Sequence, residues 1–255
     1  MNELQFDLAL ASGYRSPSQR ARILTEDWMR RQGYCPRCGR PSLAKYANNK
    51  PVADFYCDGC HADFELKSQS KPFGPKLNDG AYTTTLERIN SCNNPHFFLL
   101  HHADCTVRDL CVIPNYFFTP SLIEPRKPLA DTARRAGWQG CMIRIGEVPA
   151  QGRIYLVHDG QVVDKAQVVN QFQRTLSLQT NSMDARGWLL DVLRCVERIP
   201  HEGFTLQEVY AFAPFLQQRH PGNHHVEAKI RQQLQHLRDR GFIAFDAPGC
   251  YKKLS

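Results

Sequence analysis

The 255-residue chain is 42% hydrophobic and 22% charged, which supports a packed core and excludes a wholly disordered chain. Its length suits one large domain or two ordinary ones, and its formal net charge of +7 permits an anionic partner without requiring one. No stretch reaches the roughly 18 apolar residues of a membrane span, and the start has no basic-then-apolar leader, so a cytoplasmic protein without membrane contact is expected.

The first element is written in SPSQRARILTEDWMRRQ. Serines precede Ala21, Leu24 and Trp28 at helical spacing, predicting an amphipathic helix over residues 18–32. Next comes CPRCGRPSLAKYANNKPVADFYCDGC, in which Cys35 and Cys38 form one CxxC and Cys57 and Cys60 another, 18 residues apart. Each CxxC aims two sulfurs at one ion, and two such knuckles complete a zinc tetrahedron. Gly39 and Gly59 supply turn freedom. Two disulfides or a redox pair are the competing readings; a redox pair needs one CxxC, and nothing marks export. Cys92, Cys105, Cys111, Cys141, Cys195 and Cys250 lack ligand spacing and read as buried core thiols.

VADFYC and DFELKS read as short strands. Residues two apart share a strand face, so Glu65 and Lys67 project together while Leu66 points inward. If the strand bearing Asp54 lies alongside, two carboxylates and an ammonium meet. Two carboxylates suit a hard divalent ion such as magnesium, which polarises a phosphodiester and activates water, and the lysine positions or helps deprotonate that water. The alternative is a solvated surface pair. NDGAYTTTLERIN predicts a helix, and HFFLLHH and DLCVIP two strands, the first a central one.

Residues 126–140, RKPLADTARRAGWQG, set four basic residues, Arg134 and Arg135 among them, against one acid, which indicates a loop. Its Trp138 either tucks into the core or faces DNA as an apolar plate. A polar stretch near residues 177–186 marks a boundary. Beyond it GWLLDVLRCVERI is helical, Thr205 and Glu208 form a capping-box signature, and Val226, Ile230, Leu234 and Leu237 share one face of a helix closed by Gly241. FIAFDAPGCYKKL reads as a hairpin. Three helices and a hairpin make the winged-helix plan, whose third helix reads a DNA groove. Its other positions carry His225, Lys229, Arg231, Gln232, Gln233, His236 and Arg238, with Arg suited to guanine and Gln to adenine. Lys252 and Lys253 on the wing suit phosphate. The competing reading is an ordinary solvated helix face.

The blocks RILTEDW, YCPRCG, PVADFYC, FELKS, NDGAY, KPLADTARRAGWQGC and RQQLQHLRD together resemble the DpnI-like methyl-directed restriction endonucleases of the PD-(D/E)XK superfamily. The resemblance implies an α/β (α+β) fold: a PD-(D/E)XK core with an inserted four-cysteine zinc knuckle over residues 1–183, then a winged-helix domain over 184–255. It implies type II cleavage of double-stranded DNA at GATC with methylated adenines. Asp54, Glu65 and Lys67 would be catalytic, magnesium would sit on Asp54, Glu65 and the Leu66 carbonyl, and structural zinc on the four paired cysteines. No small-molecule cofactor is implied. Trp138, Arg134, Arg135, Lys229, Arg231, Gln232, Gln233, Lys252 and Lys253 are the expected DNA contacts. One departure is that Asp54 follows Ala53, so no literal Pro-Asp is present. A non-catalytic zinc and winged-helix transcription regulator would explain the cysteines and the third helix, but not Asp54, Glu65 and Lys67.

Overall fold

The structure, a computed structural model, describes residues 3–47, 53–91, 93–180 and 182–254. Helix α1 (Pro17–Gln32) begins on a proline, whose missing N–H would have no helical partner there, and buries Leu24, Trp28 and Met29. Strands β1 (Ala44–Lys45) and β2 (Phe55–Tyr56) form an antiparallel ladder that continues into β3 (Asp63–Gln69). Strand β4 (Leu77–Ala81) and helix α2 (Tyr82–Asn90) then cross over to β5 (His96–Ala103), which runs parallel to β3. Strands β6 (Thr106–Ile113), β7 (Ile123–Pro125), β8 (Gly140–Ile143), β9 (Ile154–His158) and β10 (Gln161–Val162) follow, with helix α3 (Lys165–Leu176) after them.

Seven strands form the main sheet in the order β1-β2-β3-β5-β6-β9-β10, and β4, β8 and β7 make a smaller one. Strand β5 is central, and both its faces are covered. Phe98 and Leu100 pack with Phe64, Trp28 and Phe172 in one core, while Phe97 and Leu99 join the other core with Ile113, Cys141 and Ile143. Such double burial is why its sequence is a near-continuous apolar run rather than an alternation. On β3 the alternation survives: Phe64 is buried on the α1 side, while Glu65 and Lys67 face the smaller sheet.

The C-terminal part comprises α4 (Met183–Arg198), β11 (Gly203–Thr205), α5 (Leu206–Tyr210), α6 (Ala213–Arg219), α7 (Val226–Asp239), β12 (Ile243–Ala247) and β13 (Cys250–Lys253). It is a mixed helical unit with a three-stranded wing, ordered β11-β13-β12. The expected capping box is present: Thr205 Oγ1 accepts from the Glu208 N–H, and the Thr205 N–H donates to Glu208 at 2.8 Å. Thr205→Ala is expected to cost about 1 kcal/mol, read as a lower denaturant midpoint with an unchanged slope.

Several expectations change. Residues 77–81 pair with β8 as a strand before the helix begins at Tyr82. The C-terminal unit has four helices and a third strand, because Gly203–Thr205 pairs with β13 before Thr205 caps α5. Helix α4 begins at Met183, four residues before the expected helical run from Gly187. Cys105 is exposed in the β5–β6 turn and Cys250 is only half-buried, so neither is the core thiol expected; Cys111, Cys141 and Cys195 are buried. Cys92, and Pro51 and Val52 of the Asp54 stretch, lie outside the described residues. Among the described residues no helix is long and apolar enough to cross a membrane.

One hydrophobic cluster runs from Leu77 and the smaller sheet through Trp188 and Leu193 to Leu237 and Ile243, so the C-terminal helices share a core with the sheet domain. Polar ties reinforce it. Glu147 accepts from Arg194 at 2.7 Å and Arg219 at 2.9 Å, and Arg174 donates to the Gly241 and Leu254 carbonyls.

Candidate active site and metal centre

The two CxxC turns bring four sulfurs together, each within 4.8 Å of the others. Cys35 and Cys60 stand 3.6 Å apart, and Cys38 and Cys57 3.5 Å. A zinc–sulfur bond of about 2.3 Å sets a tetrahedron edge of about 3.8 Å, so the cluster fits zinc with little adjustment. Both knuckles close alike: the Gly39 N–H donates to the Cys35 carbonyl and the His61 N–H to the Cys57 carbonyl. Gly39 takes the left-handed backbone in the first (φ 77) and His61, not Gly59, in the second (φ 57). Burial opposes ionisation of the Cys57 thiol, but the N–H groups of Cys60 and Gly59 and the neighbouring thiols outweigh it and lower its pKa. Burial raises Cys35 and Cys60. Four thiols packed this closely are electrostatically settled by a cation that takes them as thiolates.

The second knuckle leads directly into the acidic site. Phe55 pairs with Phe64 and Tyr56 with Asp63, which sets Asp54 opposite Glu65 on the neighbouring strand. The Asp54 N–H donates to the Phe64 carbonyl, and Asp54 Oδ2 accepts from the Leu66 N–H at 2.7 Å. Lys67 Nζ lies 2.5 Å from Glu65 Oε1. Glu65 and Lys67 thus face β4, and Asp54, tied to the Leu66 N–H between them, lies close enough to feel the Lys67 charge as well as Glu26 and Arg22 of α1.

Two residues that sequence reasoning passed over complete this site. Asp79 of β4 binds Lys67 Nζ at 2.7 Å, with its side chain only 10% exposed. Glu26 of α1 is held by Arg22 and Lys45 and adds negative potential at Asp54. The Asp-Gly pair at 79–80 was the available signal for the first, since Gly within a strand marks a bulge; the register shifts between Asp79 and Ala81. Nothing in the helical pattern of α1 singles out Glu26. A cavity of about 20 Å³, room for one water-sized occupant, is lined by Glu65, Asp79, Thr85, Arg88, Asn94 and Phe97.

Burial raises the pKa of Asp54, with Glu26 adding to it and the Leu66 N–H opposing; burial likewise raises Glu65, helped by Asp79 and Asp54 and opposed by Lys67. Burial opposes the charge on Lys67, but Glu65 and Asp79 outweigh it and hold its pKa above the ordinary value. The arrangement is a carboxylate-rich, partly desolvated cluster with the Lys67 ammonium between two of the acids. Opposed carboxylates whose charge is costly without a counterion fit a divalent ion.

A second group, Asp109, His158 and Asp159, is also close enough to hold an ion. There the Asp109 carboxylate is already satisfied by His101 at 2.8 Å, His158 at 3.1 Å and the Asp159 N–H at 3.1 Å.

The expected DNA contacts divide. Arg134 and Arg135 are exposed, and Trp138 is half-buried with the Arg135 guanidinium 4.8 Å from its ring. A Cβ on Gly140 would come within 2.9 Å of the indole, so that glycine lets the ring lie against the backbone. On α7, Gln232 is exposed, Lys229 half-buried, and Arg231 exposed but hydrogen-bonded to the Tyr210 hydroxyl. Gln233 is buried at 2% exposure, because α7 packs against α4, α5 and α6 at once and its apolar stripe widens over that position. Lys252 is exposed, whereas the Lys253 ammonium turns inward to the Ile199 carbonyl. Gln233 and Lys253 therefore leave the outward-facing set.

Comparison with known families gives two matches. The model of the DpnI, Dam-replacing family matches residues 1–181, and that of the Dam-replacing HTH domain matches residues 184–253.

Proposed function

The chain belongs to the Dam-replacing DpnI family and so to the nucleases of restriction systems, and from that premise we propose a magnesium-dependent endonuclease that cuts double-stranded DNA at GATC bearing methylated adenines. The observation that carries the chemical half of this reading is that Asp54 is bound to the Leu66 N–H between Glu65 and Lys67, which are themselves paired, all three being partly desolvated. Asp54, Glu65 and the Leu66 carbonyl would hold magnesium, and the ion when bound supplies a polarised phosphodiester and a more acidic water. The chain's own groups do the rest. Asp54 is fixed by the Leu66 N–H, so one carboxylate oxygen stays oriented while the other is left for the ion. The Lys67 ammonium can donate a hydrogen bond to a phosphate oxygen, offsetting the charge that builds there, or orient the attacking water, whose proton passes to solvent. Zinc on Cys35, Cys38, Cys57 and Cys60 would be structural, clamping the strand that bears Asp54.

On this reading the DNA is engaged twice, by the catalytic domain over residues 1–183 and by the winged helix over 184–255. An adenine methyl projects into the major groove, and the two methyls of a fully methylated GATC lie one step apart, so one flat apolar side chain can cover both. Trp138 is that plate. Arg135, now stacked on the indole, is exposed and free to move to a phosphate, uncovering the ring. Lys229, Arg231, Gln232 and Lys252 would serve the second engagement.

Burying one methyl is worth about 0.8 kcal/mol, so two give a preference of about tenfold. Stronger discrimination requires the winged helix to read the same mark. The test is cleavage of fully, singly and unmethylated duplexes by wild type and Trp138→Ala, with magnesium and with chelator. Wild type is expected to favour the fully methylated duplex, and Trp138→Ala to lose about tenfold of that preference. Equal rates on all three duplexes with wild type would exclude methyl-directed cleavage, and an unchanged ratio in the variant would clear Trp138 of this role.

A further inference from the structure

Lys67 is shared between two carboxylates, Glu65 at 2.5 Å and Asp79 at 2.7 Å, that come from different sheets. Only Glu65 faces Asp54 across the β2–β3 ladder; Asp79 reaches the ammonium from β4 of the smaller sheet. We propose that Asp79 is a positioning residue that keeps Lys67 in the site while Glu65 is released to a divalent cation. The inference rests on the nuclease reading of this same pocket.

A carboxylate that binds a metal ion can no longer fully serve a lysine 2.5 Å away. With Glu65 as its sole partner, Lys67 would compete with the ion for that carboxylate, and on losing the competition would be repelled from the pocket. Asp79 removes both problems. Its side chain is 10% exposed and can bind the ammonium without taking part in the Asp54–Glu65 pair.

The backbone around Asp79 is built for this. Strand β4 pairs with β8 at Asp79–Cys141 and again at Ala81–Gly140, leaving Gly80 as the extra residue of a bulge. Asp79 lies on the same inward face of β4 as buried Leu77, and the bulge breaks the alternation directly after it. The strand is anchored at its end where the Tyr82 N–H donates to the Gln139 carbonyl, so Asp79 is held by the same β8 that follows the Trp138 loop. Lys67 also lies 5.4 Å from the centre of the Phe97 ring, which leaves it an apolar floor and two anionic walls.

The proposal is tested by a double-mutant cycle on magnesium affinity, measured calorimetrically on full-length protein without DNA, in wild type, Asp79→Asn, Lys67→Met and the double variant. If Asp79 acts through Lys67, Asp79→Asn lets the ammonium collapse onto Glu65 and weakens magnesium binding about tenfold, and the same substitution changes affinity less than about twofold when Lys67 is methionine. Equal weakening in both backgrounds would mean that Asp79 acts on the ion directly, and no weakening in either would mean that it does nothing; both overturn the proposal. So would absence of magnesium binding in all four proteins, since Glu65 would then have no ion to be released to. Asp79→Ser provides a second neutral variant should Asp79→Asn fold poorly. In cleavage assays Asp79→Asn is expected to lower kcat with little change in KM, and Asp79→Glu to restore part of the loss. Wild-type protein that binds magnesium but cuts no DNA would remove the nuclease reading, while the coupling measured between Asp79 and Lys67 would still stand.

Discussion

Asp54→Ala, Glu65→Ala and Lys67→Ala are each expected to lower DNA cleavage by about three decades or more, equivalent to about 4 kcal/mol of transition-state stabilisation. The three variants should differ in stability, and the contacts say how. Asp54→Ala strips the partner from the Leu66 N–H, leaving a donor inside the sheet whose desolvation costs about 1–3 kcal/mol. Glu65→Ala leaves Lys67 paired with Asp79, so the ammonium keeps an anion and the fold should change least. Lys67→Ala leaves Glu65 and Asp79 facing each other without a cation, the most costly of the three at neutral pH; lowering the pH toward protonation of Glu65 should recover part of that loss. Single-turnover cleavage checks the common loss of rate, and urea melts at two pH values check the order of stability. A variant that cuts at near wild-type rate is not part of the chemistry.

Cys35→Ser or Cys57→Ser is expected to lose the metal and unfold the N-terminal part of the chain. Both cysteines are fully buried. Structural zinc contributes an apparent ~10–16 kcal/mol in small zinc modules. That matches or exceeds the ~5–15 kcal/mol by which a whole domain is ordinarily stable. The knuckle is two turns joined by a chain segment whose described strands, β1 and β2, are only two residues each, so the metal closes a region with little regular structure of its own. Loss of its clamp frees the strand bearing Asp54, so activity should fall even on DNA that still binds. Elemental analysis should give one zinc per wild-type chain and none in the variants, with a matching loss of far-UV circular dichroism. Cys105→Ser is the control, because that thiol is exposed and remote from the cluster; its metal content and melting should stay at wild-type values. Wild-type protein without zinc, folded and melting cooperatively, would contradict the structural role.

Local pattern singled out Asp54, Glu65 and Lys67, which the fold brings close together, and passed over Asp79 and Glu26 beside them. Spacing alone identified the thiol cluster, because a knuckle is built by the turn that its own few residues make. The same holds for the Thr205–Glu208 capping box, the stripe of Val226, Ile230, Leu234 and Leu237, and the shared strand face of Glu65 and Lys67. Each is a relation within one element, set by a period of 3.6 or 2 or by one hydrogen-bonded turn. What lay opposite those faces was decided elsewhere. Asp79 meets Lys67 because a strand of a second sheet carries it there, and Asp79–Gly80 read in isolation looked like the start of a helix. Gln233 is buried because three helices pack on α7 at once, and Lys253 points inward because the end of α4 presents the Ile199 carbonyl beside the wing. A sequence period fixes which side chains of an element share a face. Which face is covered, and by what charge, follows from how separate elements pack, and here that packing supplied the second anion beside Lys67.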